Sequence, residues 1–414
     1  MSAALLTAGL QAPAWAAAPA APTDLAVSWS SGKLQLTWQD AGEANNVYVE
    51  YPGTSLVTLL ATVPSTAPNE ALLATTIGVT DRARFVVKSV TGSELSEGAA
   101  TPEFDTLRPG QPVLQDANLA TNLTTQLKWS QPTVTDPNPG DPLDLPETGE
   151  TLKAFVDLPG TATNSYVLDK STTSATIPAQ ARPASIQLIA SNEWGAISAT
   201  KSVRLGTLGA GITVPSKGIY SDRLGIKSTI DLFTSEGREE RASGIPVELQ
   251  ARAKSTDAWK TYGRYAGNTT AVFDTGIASL GNRQYRLWVP GRKVVSTNVI
   301  ALTPATSTSA KSSTTYVKFV SGGFSPSAVR VGGRSNLSLK ISPAVTVKAL
   351  LQGWNGRSWE NIGDVPLTKG AFFLRGDVET EPYTVRLRFV VPTLVVNGLT
   401  VNANTSPAYN LTVK

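Results

Sequence analysis

Short runs of alternating apolar and polar residues fill this 414-residue chain, and no long stretch shows the 3.6-residue apolar period of an amphipathic helix. Leu25, Val27 and Trp29 alternate, Gly32 offers a turn, and Leu34, Leu36 and Trp38 alternate again. Further on, Leu127 and Trp129 repeat the second of those runs. The runs are punctuated by 34 glycines and 27 prolines, enough turn formers to bound many short strands. The pattern predicts an all-β chain of antiparallel β-sandwiches.

The pattern also repeats at module length. Pro246-Val247-Glu248-Leu249-Gln250 leads to Trp259, then to Tyr285-Arg286-Leu287 and Pro290. Leu350-Leu351-Gln352 leads to Trp359, then to Tyr383-Thr384-Val385-Arg386-Leu387 and Pro392. The tryptophans stand 100 residues apart and the tyrosines 98, a period that signals repeated domains and not a small solenoid repeat. Upstream, Phe155-Val156-Asp157-Leu158-Pro159-Gly160 matches the stretch Tyr48–Gly53 position for position. Four modules follow: 17–105, 106–205, 206–303 and 304–414, with a Thr/Ser/Ala-rich linker, Thr303–Thr314, between the last two. Trp38, Trp129, Trp259 and Trp359 recur at equivalent places and are expected in the four cores.

In the first two modules, an inward tryptophan on the second strand is followed by Tyr48-x-x-Tyr51 or its Phe155 counterpart. The second ends in a hairpin with Ala190, Asn192, Gly195 and Ser198. These features resemble the fibronectin type III domain, over about 21–205 in two copies. Ala83 and Ala184 stand where that family usually has the tyrosine that pins a corner of the sandwich. Modules three and four are similar to the immunoglobulin-like repeats of secreted Gram-positive bacterial proteins, through a Val-x-Leu-Gln strand, a hairpin to tryptophan and a late Tyr-Arg strand. The resemblance implies tandem sandwiches in a secreted, modular surface protein.

Composition narrows the chemistry. The chain has no cysteine and no histidine, and its only methionine is Met1. A thiol nucleophile, an imidazole base and a disulfide are therefore unavailable, and the reading is of a non-enzyme. Met1–Ala16 reads as a signal peptide: Ala3-Ala4-Leu5-Leu6 through Leu10 form an apolar core, and Ala14-Trp15-Ala16 is a small-x-small cleavage site. No later run approaches the ~20 apolar residues of a membrane span. An extracellular protein, associated with the cell wall, is the expectation. Charge is split: residues 17–205 carry 11 Lys/Arg against 19 Asp/Glu, net −8, and residues 206–414 carry 25 against 13, net +12. Such asymmetry bears on partners and not on fold.

Several short constellations could carry binding. Between Trp129 and Phe155 the second module holds 16 residues more than the first does between Trp38 and Tyr48. This long acidic loop, 131–150, contains Asp136, Asn138, Asp141 and Asp144. Oxygen ligands at near-alternate positions suit calcium; the interleaved prolines equally suit a stiffened, solvated loop. Leu145-Pro146-Glu147-Thr148-Gly149 spells a sortase motif, but a strand and not a sorting tail follows it. Arg375-Gly376-Asp377 spells the integrin-read tripeptide, at the end of an apolar run. Trp194, in a late hairpin, and Trp354, before the hairpin signal Asn355-Gly356, are the aromatics expected to be exposed and able to stack on a sugar. The cluster from Glu236 to Arg241 alternates in sign and reads as a solvated loop.

The function expected is a non-catalytic binding or spacer protein whose basic rear half docks on an anionic cell-envelope polymer or polysaccharide, while the acidic loop projects outward. Another surface protein is a further partner to consider; nucleic acid and membrane insertion are not expected. Two alternatives stand beside it: a carbohydrate-binding accessory protein using exposed aromatics, and a structural subunit that assembles through strand edges.

Overall fold

A computed structural model describes residues 18–73, 77–144, 151–161, 163–169, 171–378 and 381–414. The expected signal, Met1–Ala16, and the sortase-like Leu145–Gly149 lie outside the described residues. The described chain is all-β, and each alternating run becomes a strand with its apolar side inward.

Module one comprises β1 (Thr23–Ser30), β2 (Lys33–Gln39), β3 (Ala44–Glu50), β4 (Val57–Val63), β5 (Glu70–Leu73), β6 (Arg84–Thr91), β7 (Glu94–Leu95) and β8 (Ala99–Ala100). One sheet has the order β1-β2-β5 and the other β4-β3-β6-β7, with β8 also on β6. Leu34, Leu36 and Trp38 of β2 face Val47 and Val49 of β3 and Phe85 and Val87 of β6 across the core. Module two repeats the plan with β9 (Val113–Leu119), β10 (Thr125–Ser130), β11 (Thr151–Asp157), β12 (Asn164–Leu168), β13 (Ser174–Ile177), β14 (Ala184–Asn192) and β15 (Gly195–Leu205). Its sheets run β13-β10-β9 and β12-β11-β14-β15, the same three-plus-four arrangement.

Module three contains β16 (Thr207–Thr213), β17 (Lys217–Ile219), β18 (Arg223–Leu224), β19 (Lys227–Phe233), β20 (Ser243–Arg252), β21 (Lys260–Asn268), β22 (Phe273–Asp274), β23 (Ile277–Ala278), β24 (Arg283–Val289), β25 (Arg292–Val295), β26 (Val299–Thr303), β27 (Thr306–Ser307) and β28 (Lys311–Tyr316). Module four contains β29 (Lys318–Ser325), β30 (Ala328–Val329), β31 (Arg334–Ser342), β32 (Val347–Trp354), β33 (Trp359–Leu367), β34 (Ala371–Asp377), β35 (Thr384–Val391), β36 (Leu394–Val396), β37 (Leu399–Val401), β38 (Asn404–Thr405) and β39 (Tyr409–Val413). The orders β17-β28-β24-β20-β21 and β30-β39-β35-β32-β33 correspond strand for strand, each with a parallel pair at one edge. Thr303–Thr314, expected as a linker, instead carries β27 and most of β28, both paired with β24, so module three runs to Tyr316.

Pairing also corrects the register of the repeat. Gln250 lies opposite Arg286, and Gln352 lies opposite Arg388. A bulge falls just before each glutamine, at Leu249/Gln250 and at Leu351/Gln352. Tyr285 thus corresponds to Leu387, while Tyr383 lies outside β35 and is exposed. Asn355-Gly356 begins a four-residue loop between Trp354 and Trp359. The two-residue turn is at Asn397-Gly398, where both φ values are positive (50° and 76°), as a type I′ hairpin requires.

After Pro290 and Pro392 the chain leaves its own module and returns to the seam with its neighbour. In module three the hairpin β25–β26 joins module two, with β26 running parallel to β15 from Ser202↔Val299 to Leu205↔Leu302. Ile300 and Leu302 are buried in the module-two core with Trp129 and Val203. Lys293 of the hairpin pairs with Asp116 and donates to Asn118 Oδ1 at 2.9 Å. In module four the hairpin β36–β37 packs beneath the end of module three. Asn282 donates to Asn402 Oδ1 and to Thr400 O, each at 2.8 Å. A Cβ built on Gly281 would meet Leu399 Cβ at 2.5 Å, so this close approach requires glycine.

Replacing Ile300 by alanine is therefore expected to weaken module two, although the residue follows the last module-two strand by almost a whole domain. Truncating a buried isoleucine costs about 2–5 kcal/mol. Hydrogen exchange should show β14 and β15 amides accelerated more than β32 and β35 amides. Faster exchange confined to module three would contradict the assignment.

Candidate functional site

The outer face of the larger sheet in modules three and four carries the same side-chain stack twice. In module three, β20 supplies Gln250 and Arg252, β24 supplies Arg286, and Trp259 precedes β21. The Arg252 and Arg286 guanidinium groups lie 4.4 and 4.5 Å from the Trp259 ring centroid. Arg286 Nε donates to Gln250 Oε1 at 2.9 Å, and Arg252 Nε to Gln284 Oε1 at 2.9 Å. Burial, then the Arg252 charge, holds the Arg286 guanidinium below its usual pKa.

Module four rebuilds this arrangement. Arg388 lies 4.2 Å and Arg386 5.7 Å from the Trp359 centroid, and Arg388 Nε donates to Gln352 Oε1 at 2.7 Å. Trp354, 39 % exposed, stands edge-on to Trp359 at 5.5 Å. Among the described residues no carboxylate lies within 4 Å of Arg252, Arg286, Arg386 or Arg388. Trp38 and Trp129 are core residues as expected, but Trp259 and Trp359 are not. They lie half-buried on the outer face, because each sits beyond the inward-pointing stretch of its hairpin.

The other expected aromatic, Trp194, is only 9 % exposed. It closes the seam between modules one and two, stacked on Phe104 at 5.7 Å and edge-on to Trp29 at 5.2 Å. The end of the described part of the acidic loop, 131–144, packs at the same seam: Leu143 is buried in the module-one core, and its carbonyl accepts from Trp29 Nε1 at 2.8 Å. The four calcium candidates divide. Asn138 donates its side-chain amide to Glu103 O at 2.6 Å, and Asp141 accepts from the amides of Asp105, Leu143 and Asp144, so both are occupied in holding the backbone. Asp136 and Asp144 also accept backbone amides, from Asn138 at 2.8 Å and Gly140 at 2.6 Å, and they converge with Asp105, the nearest carboxylate oxygens within 4.8 Å of one another. Asp105 was not singled out from sequence, because it lies 31 residues before Asp136 in a connecting segment. An all-oxygen trio of this kind can share a proton or take a hard cation.

Arg375-Gly376-Asp377 forms the end of β34, paired in register with β31, and Asp377 is bound by Arg334 Nε at 2.6 Å. The sequence Glu236–Arg241 lies in a loop where Glu236 pairs with Arg204 of module two.

Together these observations define a tandem array of β-sandwiches of fibronectin type III-like and immunoglobulin-like architecture, with basic aromatic stacks on its rear half. The chain is similar to a two-domain fibronectin type III segment of chicken tenascin (14 % identity, 44 % of this chain and 96 % of that one, TM-score 0.22). It is likewise similar to the FN1-FN3 domains of chicken CNTN1 (7 %, 96 % and 100 %, TM-score 0.23). A third similar structure is that of the three N-terminal domains of the bacteriophage RB49 Highly Immunogenic Outer Capsid protein (14 %, 74 % and 99 %, TM-score 0.24). No family model and no curated relative matches the sequence.

The acidic seam carries a pH signature. Burial, reinforced by Asp136 and Asp141, pushes the Asp105 carboxyl up to about 6. Asp141 and Glu193 are also raised, by burial first and then by neighbouring carboxylates. A carboxyl raised in the folded state binds protons more tightly there than in the unfolded chain, so its stabilising contribution is present at low pH and lost as pH rises through about 6. No histidine titrates in that window. Denaturant unfolding of the full chain should lose at most about 2 kcal/mol between pH 4.5 and 7.5, and Asp105→Asn should flatten the dependence. Stability rising over that range would contradict it.

Proposed function

We propose that the chain is an exported, non-catalytic modular protein whose rear half holds an anionic polysaccharide or envelope polymer. The observation that carries this reading is the duplicated Gln–Arg–Trp stack on the outer sheets of modules three and four. A guanidinium fixed against an indole keeps its remaining N–H groups directed outward for carboxylate or phosphate, in the bidentate geometry lysine cannot offer. The half-exposed rings, with Trp354 beside Trp359, supply the flat surface on which a sugar face stacks. The rear half's net charge of +12 adds attraction over a longer range, and the absence of His and Cys supports a role without catalysis. The cell wall is the setting this reading favours, and a further surface protein is the partner open to the acidic front half.

Co-sedimentation of the full chain with a uronic-acid polysaccharide across a salt series tests the reading. Binding should fall steeply with salt, because exposed charges are screened within about 8 Å at physiological ionic strength. The double variant Arg286→Gln/Arg388→Gln should weaken it about tenfold or more, the equivalent of about 1.4 kcal/mol, and Trp354→Ala should weaken it less. Salt-insensitive binding, or equal binding to a neutral glucan that survives the double variant, would contradict the electrostatic part and favour a carbohydrate-binding accessory protein.

A further inference from the structure

The inward side of β24 carries a second positive feature, distinct from the outward stack. Arg283, Tyr285, Leu287 and Val289 alternate into the core of module three, and only the first is charged. Arg283 is 8 % exposed, its guanidinium lies 4.4 Å from the Tyr262 ring centroid, and its Nη1 has no hydrogen-bond partner. No carboxylate among the described residues lies within 4 Å of it. One neighbour shares its condition: Ser313 Oγ, cross-strand from Arg283, is buried without a partner, while the Tyr285 hydroxyl, next inward along β24, lies beside the guanidinium.

Arg283 lines a cavity of about 470 Å³ at the seam between modules three and four. Arg252, Lys260 and Tyr262 form its module-three wall, and the β36–β37 turn, Asn397–Leu399, forms the module-four wall. Asp257 is the one acidic residue of the lining, and its Oδ2 accepts the Lys254 amide. Arg283 and Lys260 thus face one carboxylate, while the Arg252 guanidinium is held against Trp259 and Gln284. Arginine does not shed its proton, and a buried charge without a partner is strongly unfavourable, so the site is built for a counter-charge the protein does not supply. The volume falls within the ~300–1,000 Å³ of small-molecule sites and exceeds what a bare anion needs.

We propose that this cavity binds one small oxyanion-bearing ligand, a monosaccharide acid or sugar phosphate, with Arg283 gripping the anionic group and Lys260 at its rim. The proposal goes beyond the polymer reading: Arg283 and Arg286 occupy opposite faces of β24, and Arg252 is the one residue that borders both features. Isothermal titration of the full chain with inorganic phosphate and, separately, glucuronate, at constant ionic strength balanced by chloride, tests it. Saturable uptake of one anion per chain is expected, and which probe saturates names the anionic group. Arg283→Met should abolish uptake and, in anion-free buffer, raise the melting temperature by removing the unpaired charge. Because Arg283 is buried, two rim variants serve as independent checks: Lys260→Ala should weaken uptake severalfold, and Asp257→Asn should tighten it. Failure of both probes to saturate, or uptake indifferent to Arg283→Met and Lys260→Ala, would overturn the site.

Discussion

The parallel pairing of β26 with β15 is the constraint on which the rest of this structure depends. An isolated sandwich leaves a sheet edge with unpaired amides and carbonyls. Module two covers that edge with a hairpin borrowed from module three, and Ile300 and Leu302 of the hairpin complete its core. Module four uses the hairpin at the equivalent place, after Pro392, to brace the end of module three. Modules one and two are joined by other means, with Trp194 and Leu143 inserted into the module-one core. Each seam therefore contains buried apolar surface and hydrogen-bonded backbone, and none is a bare linker.

That continuity gives the rear half its chemistry. With modules three and four locked through Asn282, Asn402 and Thr315, the two arginine–tryptophan stacks hold a fixed relation to each other. A polymer able to touch both gains from the second contact at high effective concentration. The same locking closes the cavity above Arg283, because the β36–β37 turn is one of its walls. On β24, parity alone separates the two features: Arg286 points out to Trp259, and Arg283 points in to Tyr262.

The strands were legible in the sequence because one buried face imposes a period of two, and Leu34-x-Leu36-x-Trp38 shows it plainly. The module count was legible from the repeat, although matching Tyr285 to Tyr383 misplaced its register. The hairpin before Trp359 is two residues shorter than that before Trp259, so pairing, not residue identity, aligns the modules. Misreadings concentrated where neighbouring modules meet. Trp194 resembles an exposed hairpin aromatic until module one covers it, and an Asp-rich insert resembles a projecting loop until Asp141 and Asn138 bind the backbone of Asp105 and Glu103. Nothing in a module's own pattern encodes such contacts. The signal for Arg283 was present, since it is the one charge at an inward position of an otherwise apolar alternation.

Differential scanning calorimetry of the full chain tests most directly whether the modules are interlocked. A free-standing module of about 100 residues has an unfolding enthalpy of roughly 60–80 kcal/mol. Interlocked modules unfold together, so the account predicts a main transition whose van't Hoff enthalpy clearly exceeds that of one module, and which Ile300→Ala shifts as a whole. Four resolved transitions, each with the enthalpy of a single module and only one of them moved by Ile300→Ala, would contradict it.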